Sequence, residues 1–576
     1  MSLRERLKKR KIVQWSVAYL AGAWVVMQLV DVLGGRWGIS DSAARLIDLV
    51  LILGFFITLV LAWYHGEQGR QRVGGVELLI IAALFGIGGL LLTVVDVGEE
   101  ETAAEATKTI RDEPDSAPSI AVLPFTIRSD DKQDEYFAAG VHDDLLTKLA
   151  KIDGLKVISR TSVTQYANTT KTIREIAQEL GVATVVEGAV QRGGDRIRVT
   201  AQLIDATSDR HIWASNYDEE LTAANVFQIQ SSLATEIAAA LNARLLPDVQ
   251  DRIEYQPTDN LLAWDLATRA RYLLDKGRIQ SDLEGAADLF RQSINEDPDY
   301  APAWSGFSRT IIELVSWHYW PEEKLAEAEQ AANRSIELDA SLSDGYIAQG
   351  MLYRLQRNYD ESERVILRAL GLSPGAADAH SNYSETLRDT GQLDKAVAAA
   401  RKSVELGPRV MRIREVLLQN LYFDRQWDAV IQEATEMLEL EPGTAFAWYW
   451  IAFSQNWMGN SELALEASQK AVQLGGDVPY LASGLAFAYA MAGEPASARG
   501  MLDTAEQDGW PLVEIGLVYA WLPDLDKAFE YMERAFVERP TALMYLSTDP
   551  AADPMRKDPR WHTLQQQLEQ STDRSD

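Results

Sequence analysis

Prolines recur at a fixed interval in the C-terminal half of the chain. Pro374, Pro408 and Pro442 are each separated by 34 residues. A period of roughly 20 to 50 residues indicates a repeat array, in which each unit buries its apolar face only against its neighbours. Because proline does not continue a helix, each of these residues is expected to end one unit. The spacing therefore predicts a stack of helical hairpins.

Large and small side chains return at matching positions of these frames. In the frame that ends at Pro374, Tyr346 is a large residue, whereas Gly350 and Ala369 are small ones that let paired helices approach. This 34-residue pattern resembles the tetratricopeptide repeat (TPR). The resemblance implies an all-α, right-handed TPR solenoid of seven or eight hairpins over residues 255–570. The first helix of each pair would line a concave wall that binds peptides or partner helices.

The wall positions become aromatic in the later repeats. Rings at such positions could hold apolar side chains of a ligand, although they could equally pack within or between repeats. We predict a protein or peptide partner. The candidate partner-binding residues are Arg412, Tyr422, Phe446, Tyr449, Phe453, Tyr480 and Phe487.

Three apolar stretches stand near the N-terminus. Residues 12–33, 46–64 and 76–97 carry almost no charge, and about 20 helical residues suffice to cross a hydrocarbon layer of ~30 Å. They predict three transmembrane helices within residues 12–97. The basic flank 1–11 is expected to stay cytoplasmic. The predicted location is therefore the bacterial inner membrane, multi-pass, with a cytoplasmic N-terminus and a periplasmic C-terminal region.

An acidic stretch without hydrophobic periodicity, residues 98–117, reads as a linker. In the following segment, 118–250, strand and helix patterns alternate, which predicts a small α/β domain. Residues 182–191 and 196–205 flank Gly193-Gly194, and the second of these stretches alternates apolar and polar side chains. That arrangement is typical of a β-hairpin.

Three runs in this segment resemble a known domain: Ser119-Ile-Ala-Val-Leu-Pro-Phe125, Leu180-Gly-Val-Ala-Thr-Val-Val-Glu-Gly188, and Val199-Thr-Ala-Gln-Leu-Ile-Asp205, which is followed by Trp213. They are similar to the TolB amino-terminal-like domain and to the flagellar FlgO domain over roughly residues 118–220. The resemblance implies no enzymatic activity. It also implies a position between a membrane anchor or an output domain and TPR repeats.

The composition argues against several functions. A formal net charge of -30 repels phosphate backbones, so nucleic acid is not an expected partner. The absence of cysteine removes thiolate nucleophiles and thiolate metal sites. His142, Asp143 and Asp144 are consecutive on a predicted helix and point about 100° apart, so we interpret them as solvated polar groups. No catalytic, cofactor-binding or metal-binding residues are predicted, and no cofactor is expected.

The combination of anchor, linker and solenoid predicts a membrane-anchored scaffold or adaptor for protein-protein interaction on the periplasmic side. An alternative is an extracytoplasmic sensory module of a signalling system that lacks its own output domain. An enzyme is the least favoured reading, because the sequence contains no nucleophile-elbow motif and no Gly-rich phosphate loop. A homo-oligomer is possible under each of these readings.

Overall fold

A β-sheet domain and then a long series of paired helices follow each other along the chain. The computed structural model describes residues 118–127, 133–275, 279–317, 319–476, 478–543 and 545–572. These residues all belong to one compact unit, Ala117–Asp576.

The sheet combines a parallel and an antiparallel half. Strand β1 lies parallel to both β3 and β4, whereas β4, β5 and β6 form an antiparallel meander. The order in the sheet is β3-β1-β4-β5-β6, and β2 pairs with a further part of β4. The strands are β1 (Ser119–Val122), β2 (Thr126–Ile127), β3 (Lys156–Val157), β4 (Thr184–Gly193), β5 (Arg196–Asp205) and β6 (Arg210–Glu220).

The predicted hairpin is the pair β4 and β5, in which Gly193 lies opposite Arg196. Gly194 has φ +64°, a conformation that glycine adopts without steric cost, so the turn falls at Gly194 and Asp195. On β5, Ile197 and Val199 are fully buried while Arg198 is exposed. A slip by one residue would reverse that alternation, which fixes the register.

Helices cover the sheet on both faces. Helices α1 (Gln133–Leu149) and α4 (Ala223–Ala240) supply buried residues to the same core as β5. Helix α3 (Ile173–Leu180) packs with residues of β1 and β4 in a separate core on the other side. The shorter helices α2 (Arg160–Thr164) and α5 (Pro247–Glu254) complete the domain.

Eight helix pairs follow within the described residues. The apolar face of each pair is buried against the next pair, as expected of a solenoid. The pairs are α6 (Leu261–Asp275) and α7 (Gln280–Glu296), α8 (Ala301–Ser316) and α9 (Leu325–Leu338), α10 (Ser343–Leu355) and α11 (Tyr359–Leu372), α12 (Ala377–Asp389) and α13 (Leu393–Leu406), α14 (Met411–Phe423) and α15 (Trp427–Leu440), α16 (Ala445–Trp457) and α17 (Ser461–Gly475), α18 (Pro479–Met491) and α19 (Pro495–Leu502), and α20 (Leu512–Trp521) and α21 (Leu525–Glu538). Two further helices, α22 (Asp553–Arg556) and α23 (Arg560–Thr572), end the described chain.

The α/β domain is attached directly to the solenoid. The backbone N–H of Ser159 donates to the carbonyl of Leu406 at 2.8 Å, and that of Gly375 donates to the carbonyl of Ala150 at 3.0 Å. These bonds join the domain to the ends of α11 and α13, more than 200 residues further along the chain. Backbone bonds of this kind fix the domain against the repeats, because breaking them would leave polar groups unsatisfied in a part-buried interface.

The three polar residues on α1 are not solvated, so that interpretation is wrong. His142 bonds within the α/β domain, whereas Asp143 and Asp144 contact α6 of the solenoid. His142 is buried, and its Nε2 lies 2.8 Å from the carbonyl oxygen of Val122. Asp143 pairs with Arg271 of α6 at 2.6 Å, and Asp144 accepts a hydrogen bond from Trp264 Nε1 at 2.7 Å. Although burial by itself raises the pKa of Asp143, Arg271 and Arg160 hold it below its usual value.

The predicted membrane anchor requires a correction. Within the described ranges, no helix is long and apolar enough to cross a membrane. The most apolar of them, α20, has ten residues and so covers only ~15 Å of a ~30 Å hydrocarbon layer. The predicted fold class, which included an α-helical membrane anchor, is therefore contradicted by this finding. The same finding contradicts the predicted multi-pass inner-membrane location with a periplasmic C-terminal region. Residues 1–11, 12–97 and 98–117 lie outside the described residues.

Helix packing in the solenoid can be tested at two glycines. A Cβ at Gly306 on α8 would overlap the ring of Phe290 on α7, which is buried, whereas Gly371 on α11 has open space around it. We expect Gly306→Ala to lower the free energy of unfolding by about 1 to 3 kcal/mol through overpacking. Gly371→Ala should leave it unchanged or raise it by up to ~1 kcal/mol through helix propensity.

Urea denaturation followed by circular dichroism measures both variants against the parent chain. Equal midpoints for Gly306→Ala and Gly371→Ala would contradict the close approach of α7 and α8.

Candidate functional site

Six of the seven predicted partner-binding residues come together in one aromatic cluster: Tyr422, Phe446, Tyr449, Phe453, Tyr480 and Phe487. The ring centroids of Tyr449 and Phe453 are 4.6 Å apart, and those of Phe453 and Phe487 are stacked at 4.8 Å. Tyr449 and Tyr480 are 5.0 Å apart. These residues stand on α14, α16 and α18, the first helices of three successive pairs. Rings on successive first helices can contact one another because the repeats have a constant length and stack in register.

The seventh residue, Arg412, lies in a different environment. Its Nη2 is 2.7 Å from Oδ1 of Asp378, and the other oxygen of that carboxylate is 2.9 Å from Nη2 of Arg309. The three side chains form a charge ladder across α8, α12 and α14. The Arg412 guanidinium is thus engaged with another repeat and is not part of the aromatic cluster.

The cluster is largely buried. Tyr422, Tyr449, Phe453 and Phe487 are buried, while Phe446 and Tyr480 are half-buried. Most of the rings therefore pack between repeats, which is the alternative that the sequence left open. Their role in partner binding stays a prediction, with Phe446 and Tyr480 as the accessible members.

The packing leaves a cavity of about 70 Å³ beside the rings, here called the aromatic cavity. Such a volume holds a small group of a few heavy atoms. Its walls come from the first helices α12, α14, α16, α18 and α20 and from the chain beyond α21. The lining residues are Arg388, Gln419, Tyr422, Phe423, Tyr449, Trp450, Phe453, Tyr480, Phe487, Glu514, Leu517, Tyr545, Asp549 and Ala551.

Residues 545–556, here called the C-terminal strap, close one side of the cavity. The ring of Tyr545 meets that of Phe423 at 6.0 Å, edge to face. Trp521 Nε1 donates to the carbonyl of Ala551 at 2.8 Å, and Arg425 Nη2 binds the carboxylate of Asp553 at 2.8 and 2.9 Å. The strap is therefore held by α14 and α20, the same helices that present the cavity.

Two carboxyl groups reach the cavity. Glu514 on α20 is only 8% exposed, and among the described residues its carboxyl has no hydrogen bond or ion pair. Burial, together with the charge of Asp549, raises the pKa of Glu514 to about 8. Asp549 accepts the backbone N–H of Ala551 at 2.8 Å and the hydroxyl of Tyr422 at a long 3.5 Å. Burial raises its pKa to about 6.

The cation in the lining is already paired. Arg388 Nη2 lies 2.9 Å from Oδ1 of Asp389, and Arg388 Nη1 donates to Gln419 Oε1 at 2.9 Å. The guanidinium also stands over the ring of Phe423 at 5.2 Å. Arg388 is thus engaged with Asp389, which Arg354 also contacts, and it does not supply a counter-ion for Glu514. Burial raises the pKa of the hydroxyls of Tyr422, Tyr449, Tyr480 and Tyr545, which therefore stay neutral.

Sequence reasoning missed Glu514, Asp549 and the strap. The candidate partner-binding residues ended at Phe487, so α20 was not recognised as a first helix that lines the site. One signal was available: Glu514 is the single charged residue in the otherwise apolar run of α20, Leu512–Trp521. A lone acid on a fully buried helix is unusual and favours a polar contact or a ligand.

A second cavity, of about 440 Å³, opens on the sheet face between β4, β5 and β6. Its charged residues already have partners. Lys171 pairs with Glu179 at 2.6 Å, and Glu187 accepts from Gln202 Nε2 at 3.1 Å. Among the described residues, both charged side chains of this lining therefore have a hydrogen-bond partner. In the part of the chain that the structure covers, no three His, Asp or Glu residues are grouped to hold a metal ion.

Comparisons with known proteins match parts of the chain. Residues 377–409 match the family model of the tetratricopeptide repeat. The chain contains tetratricopeptide repeats. Residues 116–236 match the family model described as HilA/YgeH-like transcriptional regulator, second domain. The description of this model names neither TolB nor FlgO, so that resemblance stays a prediction.

A curated relative, the "Putative adenylate cyclase 3" of Rhizobium meliloti (strain 1021), is 34% identical over 252 residues, which are 43% of this chain and 42% of the relative. The chain thus spans about two fifths of the length of the relative it matches. Two solved structures are similar. YrrB, described as a TPR protein with an unusual peptide-binding site, is 23% identical, with 34% of this chain and 96% of YrrB covered and a TM-score of 0.26. The human IFIT1 dimer with m7Gppp-AAAA is 15% identical, with 54% and 77% covered and a TM-score of 0.38.

The buried carboxyl of Glu514 predicts a pH-dependent stability. Its pKa of about 8 in the folded chain exceeds the ~4.3 of an unfolded glutamate, so between these values the folded state keeps a proton that the unfolded state loses. Stability should therefore fall as the pH rises from 5 to 9. Glu514→Gln removes this titration, so the variant should melt at a higher temperature than the parent at pH 9 and at a similar one at pH 5.

Thermal melts at both pH values check this expectation, and Glu466→Gln, an exposed position on α17, is the matched control. The other charged or titratable groups at the cavity are retained in all variants: Asp549, Arg388, Tyr422, Tyr449, Tyr480 and Tyr545. An identical pH response of the parent and Glu514→Gln would show that this carboxyl ionises freely.

Proposed function

We propose that the chain is a protein-interaction scaffold whose TPR solenoid binds a peptide segment of a partner at the aromatic cavity. The observation that carries this proposal is the convergence of five first helices and the strap on one aromatic, concave site. First-helix faces are the surfaces with which helical repeats bind peptides. Aromatic side chains in pockets supply much of the energy of such interfaces.

The half-buried rings mark where a ligand would enter. Phe446 and Tyr480 have centroids 6.2 Å apart and retain exposed surface, unlike the rings beneath them. A ligand side chain could stack on these two rings and extend toward Gln419, another half-buried residue of the lining. The function assigned to these residues is binding and not catalysis.

Peptide selection tests this function. A displayed library of random peptides is selected on the purified full chain, and the affinity of each enriched peptide is measured by fluorescence polarisation. We expect Phe446→Ala and Tyr480→Ala each to weaken binding by about 1 to 2 kcal/mol or more, as for interface hot spots. Leu463→Ala removes an exposed apolar side chain, 51% accessible, from the second helix α17 and should have no effect.

Enriched peptides that bind Phe446→Ala, Tyr480→Ala and the parent equally would place the interaction elsewhere and overturn the proposed site. Circular dichroism of each variant separates lost binding from lost folding.

A regulatory role is a second candidate, favoured by the matches themselves. The α/β segment matches a model described for a transcriptional regulator, and the curated relative is described as a putative adenylate cyclase. We propose under this reading that the α/β domain and the solenoid together form a sensory region of a signalling system. The hydrogen bonds between them would let a ligand on the repeats influence the domain.

A further inference from the structure

The aromatic cavity combines aromatic rings with carboxyl groups, and a purely apolar ligand would not require the carboxyl groups. Eight of its lining residues are aromatic, and two are carboxylic acids, Glu514 and Asp549. A carboxyl group that is more than nine-tenths buried normally has a hydrogen-bond or charge partner. Among the described residues, Glu514 has none, although it lines an open space. A ligand group bound in this space would therefore be placed to act as the partner of Glu514.

A cation is the partner that this lining fits. Aromatic faces carry negative potential and attract ammonium groups within about 6 Å of the ring centroid, an effect that strengthens when water is excluded. Buried carboxylates are stabilised by a positive charge that also donates hydrogen bonds. Arg388, the cation already present in the lining, is bound to Asp389 and lies over the ring of Phe423. Arg388 is therefore not the partner of Glu514.

We propose that the aromatic cavity binds a primary ammonium group at the end of an aliphatic chain. The ammonium would donate hydrogen bonds to Glu514 and Asp549, while the attached methylene groups contact the rings of Tyr449, Phe453 and Tyr480. A cavity of about 70 Å³ takes such a head group but not a whole amino acid. This inference rests on the proposed function, since a lysine side chain of a bound peptide is one source of the group. A free alkylamine is the other.

The half-buried residues define how the group would enter. Gln419, Tyr480 and Tyr545 are the partly exposed members of the lining, whereas Glu514 and Asp549 lie deeper. An aliphatic chain of a few carbons is needed to bring a charge from that mouth to the carboxyl groups. Burial keeps Glu514 protonated near neutral pH, and Glu514 would ionise beside the bound cation. Binding would therefore release a proton. The affinity should therefore rise with pH up to about 8.

The test uses n-butylammonium as the probe, with 1-pentanol as an uncharged molecule of similar length. Binding to the full chain is measured by isothermal titration calorimetry and by tryptophan fluorescence, since Trp450 lines the cavity. We expect n-butylammonium to bind and 1-pentanol not to bind. Glu514→Gln should weaken the binding about tenfold or more, because a charge-assisted hydrogen bond is lost. Glu466→Gln, remote and exposed, should bind as the parent does.

Folding does not confound this comparison. Glu514→Gln removes the titration of a buried acid and is expected to be at least as stable as the parent above pH 5, so lost binding in a folded variant reports on the site. Equal affinity of the parent and Glu514→Gln for n-butylammonium, or equal binding of 1-pentanol, would overturn the ammonium site.

The selected peptides separate this inference from the proposed function. Peptides that contain lysine and bind Glu514→Gln at least tenfold more weakly support both. Peptides that bind at Phe446 and Tyr480, lack a positive charge and are indifferent to Glu514→Gln overturn the ammonium site and leave the scaffold in place. If no peptide binds but n-butylammonium binds through Glu514, the scaffold proposal fails and the site is one for a free amine.

Discussion

A helix pair in this chain can bury its apolar face only against the next pair, and the rest of the structure depends on that constraint. An array built in this way has two ends that need covering. At the first end, Trp264 of α6 is buried against Phe137 of α1 at 5.2 Å and Phe227 of α4 at 6.4 Å. At the other end, α22 and α23 pack on α21, and the C-terminal strap, which contains α22, also contacts α14 and α20. The α/β domain and this C-terminal segment are thus caps as well as elements of their own.

The two caps produce different surfaces along the first helices. Near the α/β domain the helices are charged, and their charges are matched within the chain: Arg271 by Asp143, Asp275 by Arg160, and Asp378 by Arg309 and Arg412. Near the strap the helices are aromatic, and Glu514 has no partner among the described residues. A ligand is expected at the aromatic end because Glu514 borders an open cavity there, whereas the carboxylates Asp143, Asp275 and Asp378 each contact an arginine.

The sequence predicted those features that depend on residues close together in the chain, and it did not predict those that depend on distant residues. The 34-residue period and the alternation on β5 are local patterns, so they indicated the repeats and the β4-β5 hairpin. The burial of Asp143 and Asp144 depends on Arg271 and Trp264, about 120 residues away, and no local pattern reports such a partner. The cavity depends on the strap returning to α14 over a similar separation. The membrane anchor was predicted from the length of apolar stretches alone. The described helices are short, and they are either amphipathic or packed against neighbouring helices.

Glu514 is the residue that the solenoid itself does not require. Stacking α20 between α18 and α21 needs apolar side chains, which Val513, Ile515, Leu517 and Val518 provide. An unpaired carboxyl at the same depth costs free energy whether it is ionised or takes up a proton. Positions at which a sequence departs from what its fold favours are expected at functional sites. The aromatic rings, by contrast, suit both stacking and binding, so their presence alone does not distinguish the two roles. The acid does, because only a ligand or another buried donor would offset its cost.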